Sequence, residues 1–270
     1  MIHKINKFIY NVVFVRWRYW LIRHFDPVVR AQIKDPLLVP IIIINFNQLF
    51  FLRQLVGFLL ERGFKNVVVI DNKSTYPPLL DYYREMADRI KVEYRENNEG
   101  HPVFFRTPEL QEKYGKGYFV VTDSDIVPNI NLPMDFMAQM MSVLDKHYNC
   151  INKVGFALDL EDIPDSYLPK DKVLKWEKQF WEKPLGNDMY EAGIDTTFAL
   201  YKPKYPRCFK NEHFIKSIRM AGPFTSQHGG WLLDSANLTD EQKYYNKHAT
   251  NYSSSWKIDE RGQFIGYKNY

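Results

Sequence analysis

This sequence predicts an α/β fold: an open, mostly parallel sheet flanked by helices, preceded by an amphipathic N-terminal helix. Three observations point there. Apolar runs of strand length recur at residues 39–44, 66–70, 90–94 and 117–122. Helix-length stretches, 48–62 and 79–89, lie between the first three runs. Polar clusters follow the runs, with Asn45 and Asn47 after the first, Asp71 to Ser74 after the second and Asp123 to Asp125 after the fourth. In open parallel sheets, ligands bind beyond the carboxyl ends of the strands.

The elements follow in chain order. Residues 1–35 form a unit of their own. Lys4, Lys7, Arg16, Arg18 and Arg23 precede the first acid, Asp26, and Ile9, Val13, Trp17, Trp20 and Leu21 recur at helical spacing. The run is too short for a spanning helix, and arginines interrupt it. A basic, Trp-bearing amphipathic helix suits a membrane surface, and it equally suits docking on the protein's own core. The main domain, residues 36–270, opens with Val-Pro-Ile-Ile-Ile-Ile, a continuous apolar run expected of a buried parallel strand. Gly63 closes the first helix. The β-α-β-α-β succession implies right-handed crossovers. A helix is expected from Pro133 to about His147, strands at 153–158 and 196–201, and a helix around 172–182 within an insertion. The tail from Arg219 reads as turns.

Composition bounds the function. The 270 residues are 45% apolar and 25% charged, a globular balance. The formal charge of +4 does not indicate nucleic-acid binding. Cys150 and Cys208 supply neither a zinc constellation nor a disulfide framework, and both are expected to be reduced and buried. A cytoplasmic location is expected, with the inner face of the membrane as an alternative, and no cleavable signal peptide is evident. Asn237-Leu238-Thr239 and Asn251-Tyr252-Ser253 match a glycosylation sequon that is common by chance.

Asp123-Ser124-Asp125 is the strongest local signal for chemistry. Two carboxylates one residue apart at a strand end can face one hard divalent cation, Mn2+ or Mg2+, which also binds diphosphate oxygens. At the second strand end, Asp71 can accept from a nucleobase N–H, while the bland alternative is a strand-to-helix turn capped by Ser74 or Thr75.

Residues 39–47, the Ile70-Asp71-Asn72-Lys73-Ser74-Thr75 turn and Thr122-Asp123-Ser124-Asp125 together resemble the GT-A class of glycosyltransferases, family-2-like members in particular. The resemblance covers residues 38–130 well and the C-terminal half only loosely. It implies a nucleotide-binding GT-A sheet and transfer of a sugar from a nucleotide-diphosphate donor, a UDP-sugar favoured, to a glycan or glycolipid acceptor. It assigns Asn45, Asp71 and Ser74 to the nucleotide, with Asn98 and Gly100 beside it, and Asp123 and Asp125 to nucleotide and metal. A C-terminal histidine often completes such a metal site, and Gln227-His228-Gly229-Gly230-Trp231 is the best candidate here. Glycines there let backbone approach a diphosphate, and Trp231 can stack on a sugar. His213 and His248 lie in charged, helix-like stretches and fit less well.

An inverting transferase also needs a carboxylate to deprotonate the acceptor. Asp195, just before a late apolar strand, is the first candidate for this base, and Asp162 is the second. The family-2 Glu-Asp pair is absent, which leaves inversion or retention open. Further expected partners are a peripheral membrane surface and a second copy of the chain. Three other readings compete, one of them a sugar nucleotidyltransferase, which would need a Gly-rich, Arg/Lys-bearing loop after the first strand where Asn45-Phe46-Asn47-Gln48-Leu49 stands. A dehalogenase-type phosphatase also uses Asp-x-Asp after a strand, but there the motif opens the domain. A non-catalytic carbohydrate-binding scaffold is the third.

Overall fold

The computed structural model describes residues 14–194, 197–203, 216–234 and 236–249. A ten-stranded sheet runs through it in the order β3-β2-β1-β4-β9-β6-β10-β8-β7, with β5 paired to β10. The strands are β1 (Ile41–Asn45), β2 (Val67–Asp71), β3 (Lys91–Tyr94), β4 (Phe119–Asp123), β5 (Ile126–Pro128), β6 (Lys153–Leu158), β7 (Pro184–Gly186), β8 (Met189–Glu191), β9 (Ala199–Tyr201) and β10 (Ser217–His228). The helices are α1 (Val15–Phe25), α2 (Pro27–Lys34), α3 (Phe50–Glu61), α4 (Pro77–Glu85), α5 (Val103–Arg106), α6 (Pro108–Tyr114), α7 (Phe136–Lys146), α8 (Lys170–Glu177) and α9 (Asp240–His248).

The expected parallel core is present. β1 pairs in parallel with β2 and β4, and β2 with β3. Every residue of β1 and β2 is buried, because helices cover both sides of a parallel sheet and leave no solvated face. Register sets the working edge, placing Asn45 opposite Asp71 and Ile44 opposite Asp123. Parallel pairing therefore brings the polar ends of three strands to one level.

The C-terminal half departs from expectation in one large respect. The tail after Arg219 is not a run of turns: β10 is a strand of 12 residues, parallel to β6 and antiparallel to β5 and β8. A register shift between Met220 and Thr225, around Gly222 and Pro223, breaks the alternation that would mark it as a strand in the sequence. The late apolar strand is shorter than expected and antiparallel to both neighbours, β4 and β6. The insertion helix ends at Glu177 and gives way to a 3-10 turn at Lys178–Trp181. Cys150 is exposed rather than buried, because it sits in the turn between α7 and β6. Cys208 lies outside the described residues.

Three side chains tie the N-terminal segment to the rest of the protein. Gln32 of α2 donates to Tyr118 O and accepts from Tyr118 N, both at 2.8 Å, so a side-chain amide extends the pairing of β4. Val29 is fully buried beside it, which makes α2 part of the core. Arg23 of α1 pairs with Asp145 of α7, which also accepts from Tyr118 Oη at 2.5 Å, and the Tyr19 ring stacks on Tyr148 at 3.8 Å.

Lys202 is a partly buried cation whose environment disfavours its charge. Lys202 donates to the carbonyls of Tyr148 and Ile151 at 3.4 and 3.3 Å. Burial first, and the charge of Lys216 second, lower its pKa from 10.5 to about 8. The unfolded chain keeps that proton up to about 10.5, so between about 8 and 10.5 the unfolded state binds more protons and stability rises with pH. Urea unfolding across that window should show the rise, and Lys202→Met should flatten it relative to the native chain.

Candidate active site

The site is built at the carboxyl edge of β1, β2 and β4. Asn45 ends β1 at 1% exposure, and its amide donates to Gln48 O at 3.0 Å and to Tyr83 Oη at 2.8 Å. Tyr83, from α4, passes a hydrogen bond on to Asp71 Oδ2 at 2.9 Å. Burial first, then the Asp71 charge, hold the Tyr83 phenol well above its usual pKa, so it stays a donor. Asp71 Oδ1 accepts from Ser74 N at 2.8 Å, and Ser74 Oγ accepts from Asn47 N at 2.8 Å. Asn47 Oδ1 then accepts from Thr75 N and Tyr76 N at 2.7 and 3.0 Å. Asn47 holds φ at 51°, a conformation asparagine tolerates better than most residues.

This network engages two of the expected nucleotide residues. Asp71, also 1% exposed, accepts one hydrogen bond on each oxygen, from Ser74 N and Tyr83 Oη, and so helps hold the turn. Ser74 is engaged on both its amide and its hydroxyl. Around these strand-end turns, the buried side-chain atoms without a hydrogen-bond partner among the described residues include Asn45 Oδ1, Asn47 Nδ2 and Asn98 Nδ2. One acceptor and two donors thus remain for a polar ligand, since buried amide atoms are costly to leave unpaired. Asn98 Oδ1 accepts from Gly100 N at 3.0 Å, and Asn72 bridges to Gly100 O at 3.2 Å, so residues 98–100 close over the second turn. Gly100 needs its glycine, because its φ is 73°.

The Asp-x-Asp segment splits into different roles. Asp123 is the last residue of β4 and half-buried. Ser124 donates to Gln48 Oε1 at 2.8 Å and joins the first strand's turn to the motif. Asp125 is 4% exposed. Its Oδ2 accepts from Gly230 N at 3.2 Å, its main-chain oxygen accepts from Gly229 N at 2.7 Å, and His228 Nδ1 stands 3.5 Å from Oδ2. The fold thus brings Asp125 and the His228 segment together.

The same turn packs Trp231 and Gly229 against other side chains. Trp231 is 3% exposed with its ring stacked on His228 at 4.9 Å, so it backs the imidazole and offers no face to a sugar. Gly229 admits the Phe51 ring rather than a diphosphate: a Cβ there would lie 2.5 Å from ring carbons. Asp162 is exposed and accepts from Gln227 Nε2 at 2.7 Å, which seats it one residue from His228. Asp195 and His213 lie outside the described residues. His248 stacks on Tyr244 at 4.1 Å, on α9.

A metal fits this corner as a site only partly built from protein. Among the described residues, no group of three or more His, Cys, Asp or Glu side chains converges. Asp125 and His228 do converge, and His228 Nδ1 is buried without a hydrogen-bond partner. A carboxylate oxygen and an imidazole nitrogen suit Mn2+, and the remaining positions of such a cation go to diphosphate oxygens and water.

Sequence reasoning missed Tyr83, Gln48 and Gln227, since nothing local marks them as partners of Asp71, Ser124 and Asp162. It also missed Glu241 of α9, whose carboxylate accepts from Leu49 N at 2.9 Å and Phe50 N at 3.1 Å, capping α3.

No protein-family model and no curated protein sequence matches this chain. Solved structures with a similar layout include a mannosyltransferase from Pyrobaculum calidifontis in complex with GDP-Man and Mn2+. It is 13% identical at a TM-score of 0.43, over 79% of this chain and 61% of that one. S. aureus TarS is 15% identical at 0.43, over 83% of this chain and 46% of TarS. An apo UDP-glucose pyrophosphorylase is 10% identical at 0.40, over 78% of this chain and 100% of that one. The chain thus spans less than two thirds of the mannosyltransferase and of TarS. Such identities and TM-scores are too low to transfer any residue's role to this chain.

The Gly229–Phe51 contact is testable. Gly229→Ala should destabilise the protein by about 1–3 kcal/mol through overpacking, read as a shift in the urea midpoint, and Phe51→Ala in the same chain should restore part of the loss.

Proposed function

We propose that this protein is a metal-assisted transferase that moves a sugar from a nucleotide-diphosphate donor to a saccharide or lipid-linked acceptor. The observation that carries the reading is the approach of His228 to Asp125, from distant parts of the chain, at the edge where Asn45, Asn47 and Asn98 keep unpaired amide atoms. A UDP-sugar is the favoured donor, and the GT-A resemblance of residues 38–130 supports it.

In this reading Asn45 Oδ1 and the Asn98 amide take the nucleoside, and Asp123 assists at the ribose. Asp125 and His228 would hold Mn2+ or Mg2+. Such an ion, when bound, supplies charge neutralisation for the departing diphosphate. Asp71, Ser74 and Tyr83 keep the strand-end turn in place. Asp162 is the acceptor-side carboxylate: it is open to solvent, and Gln227 orients it beside His228. It accepts the proton of the attacking hydroxyl as the new bond forms. Asp195 shares this candidacy from sequence alone.

Asp125→Asn keeps an acceptor for Gly230 N but removes the charge. It should leave the fold intact and lower metal-dependent turnover by roughly 100-fold or more. Calorimetric titration of UDP- and GDP-sugars with and without Mn2+ is the direct check. Donor binding that ignores both the ion and the substitution would sink the metal assignment, and the absence of any donor binding would favour a non-catalytic scaffold.

Asp162→Asn should lower turnover by roughly 100- to 10,000-fold with donor affinity nearly unchanged. Single-turnover kinetics at saturating donor decide this. Loss of donor affinity without loss of the chemical rate would move the base to Asp195.

A further inference from the structure

The N-terminal helix α1 has two faces with different employment. Wound at about 3.6 residues per turn, Tyr19, Ile22 and Arg23 fall on one side. That side meets the protein: Tyr19 stacks on Tyr148, Ile22 packs on the core and Arg23 pairs with Asp145. The opposite side carries Trp17, Leu21 and His24, with Phe14, Trp20 and Phe25 beside them. Phe14, Trp17, Trp20 and Phe25 are 47%, 56%, 49% and 67% exposed, and no residue of α1 is buried. Docking on the core therefore leaves Trp17, Trp20 and Phe25 exposed.

Charge decides what suits this face. Arg16 and Arg18 flank it on either side, both exposed, and neither is paired among the described residues. No acidic residue precedes Asp26 in the chain, and Lys4 and Lys7 add to the same sign. α2 follows α1 directly in the chain. Val28 is 37% exposed, and with Gln32 it lines a cavity of ≈ 510 Å³ at the amino ends of β1, β2 and β4. Lys65, Arg89 and Lys116 line that cavity without an ion-pair partner among the described residues, while Lys91 and Lys113 pair with Glu93. Asp88 is the acid in its wall. The cavity stands at the opposite end of the strands from Asp125.

We propose that α1 and the basic mouth beside α2 form a docking surface for an anionic phospholipid bilayer. The indoles and phenyl rings enter the headgroup layer, and the arginines and lysines meet lipid phosphates. Tryptophans at the water–hydrocarbon boundary and flanking cations are the pattern that such in-plane helices require. No helix among the described residues is long and apolar enough to cross a membrane, so contact of this kind is peripheral. The surface is independent of the donor site, and its test does not use enzymatic activity.

The full chain should co-sediment with vesicles of phosphatidylglycerol and phosphatidylcholine, and much less with phosphatidylcholine alone. Trp17→Ala with Trp20→Ala should weaken binding roughly tenfold per indole. Arg16→Glu with Arg18→Glu should weaken it by roughly 25-fold or more, at about fivefold per charge, with salt having the same direction of effect. Lys65→Glu with Lys116→Glu should act in the same sense. Brominated phosphatidylglycerol should quench the indole emission of the unaltered chain, which reads the contact even if a variant does not fold. Absence of quenching, or vesicle binding unchanged in both the tryptophan and the arginine variants, overturns the proposal. So does a lipid-free dimer that Trp17→Ala with Trp20→Ala converts to a monomer, since the aromatic face would then belong to a second copy of the chain.

Discussion

The central strand β1 is paired on both sides and buried along its whole length, and the rest of the structure takes its positions from it. A strand with neighbours on both edges has no freedom of register. A slip by one residue would turn every side chain to the opposite face. Because β2 and β4 both run parallel to β1, their last residues must end at its level. Asn45, Asp71 and Asp123 are neighbours for that reason. The polar edge of the sheet is a consequence of hydrophobic burial along Ile41 to Ile44, which supplies the energy that holds polar groups at 1% exposure.

Holding those groups there requires partners, and the structure finds most of them nearby. Tyr83 joins Asn45 to Asp71, Ser74 joins Asp71 to Asn47, and Ser124 joins β4 to Gln48. These links rigidify the two strand-end turns against each other. The amide atoms that the network leaves unpaired, on Asn45, Asn47 and Asn98, lie around the same edge. A buried network that is complete except on one side is the arrangement a ligand can finish.

The C-terminal half reaches this edge through Asp125. Its main chain and carboxylate hold the turn at residues 228–230, while the pairing of β5 with β10 places His228 opposite Ile126. Phe51 fills the space that Gly229 leaves, and Glu241 caps the helix carrying Phe51. Burial first raises the Glu241 pKa, and the two backbone donors oppose that shift, so the cap is kept at a cost in solvation. Elements at the end of the chain thus buttress turns built near its beginning.

The sequence by itself determined the parallel core, the polar ends of its strands, and the pairing of types at Asp123 to Asp125. Those features are written in local signals: apolar runs of strand length, helical spacing, and Asn or Asp at the switch between them. It also marked His228 as the histidine to watch. Only the tertiary structure decided which groups are engaged and which are open. Asp71 and Ser74 are taken by Tyr83 and the turn itself, and Trp231 is buried behind His228, because each has a partner far along the chain or on another element. β10 was illegible because its irregularity at Gly222 and Pro223 removes the period that marks a strand, and its stability comes from β5, β6 and β8. α1 read as either core-packing or surface-seeking, and the fold uses one face for the first and leaves the other outward. Local period reports which residues share a face, while what that face meets depends on contacts the period does not contain.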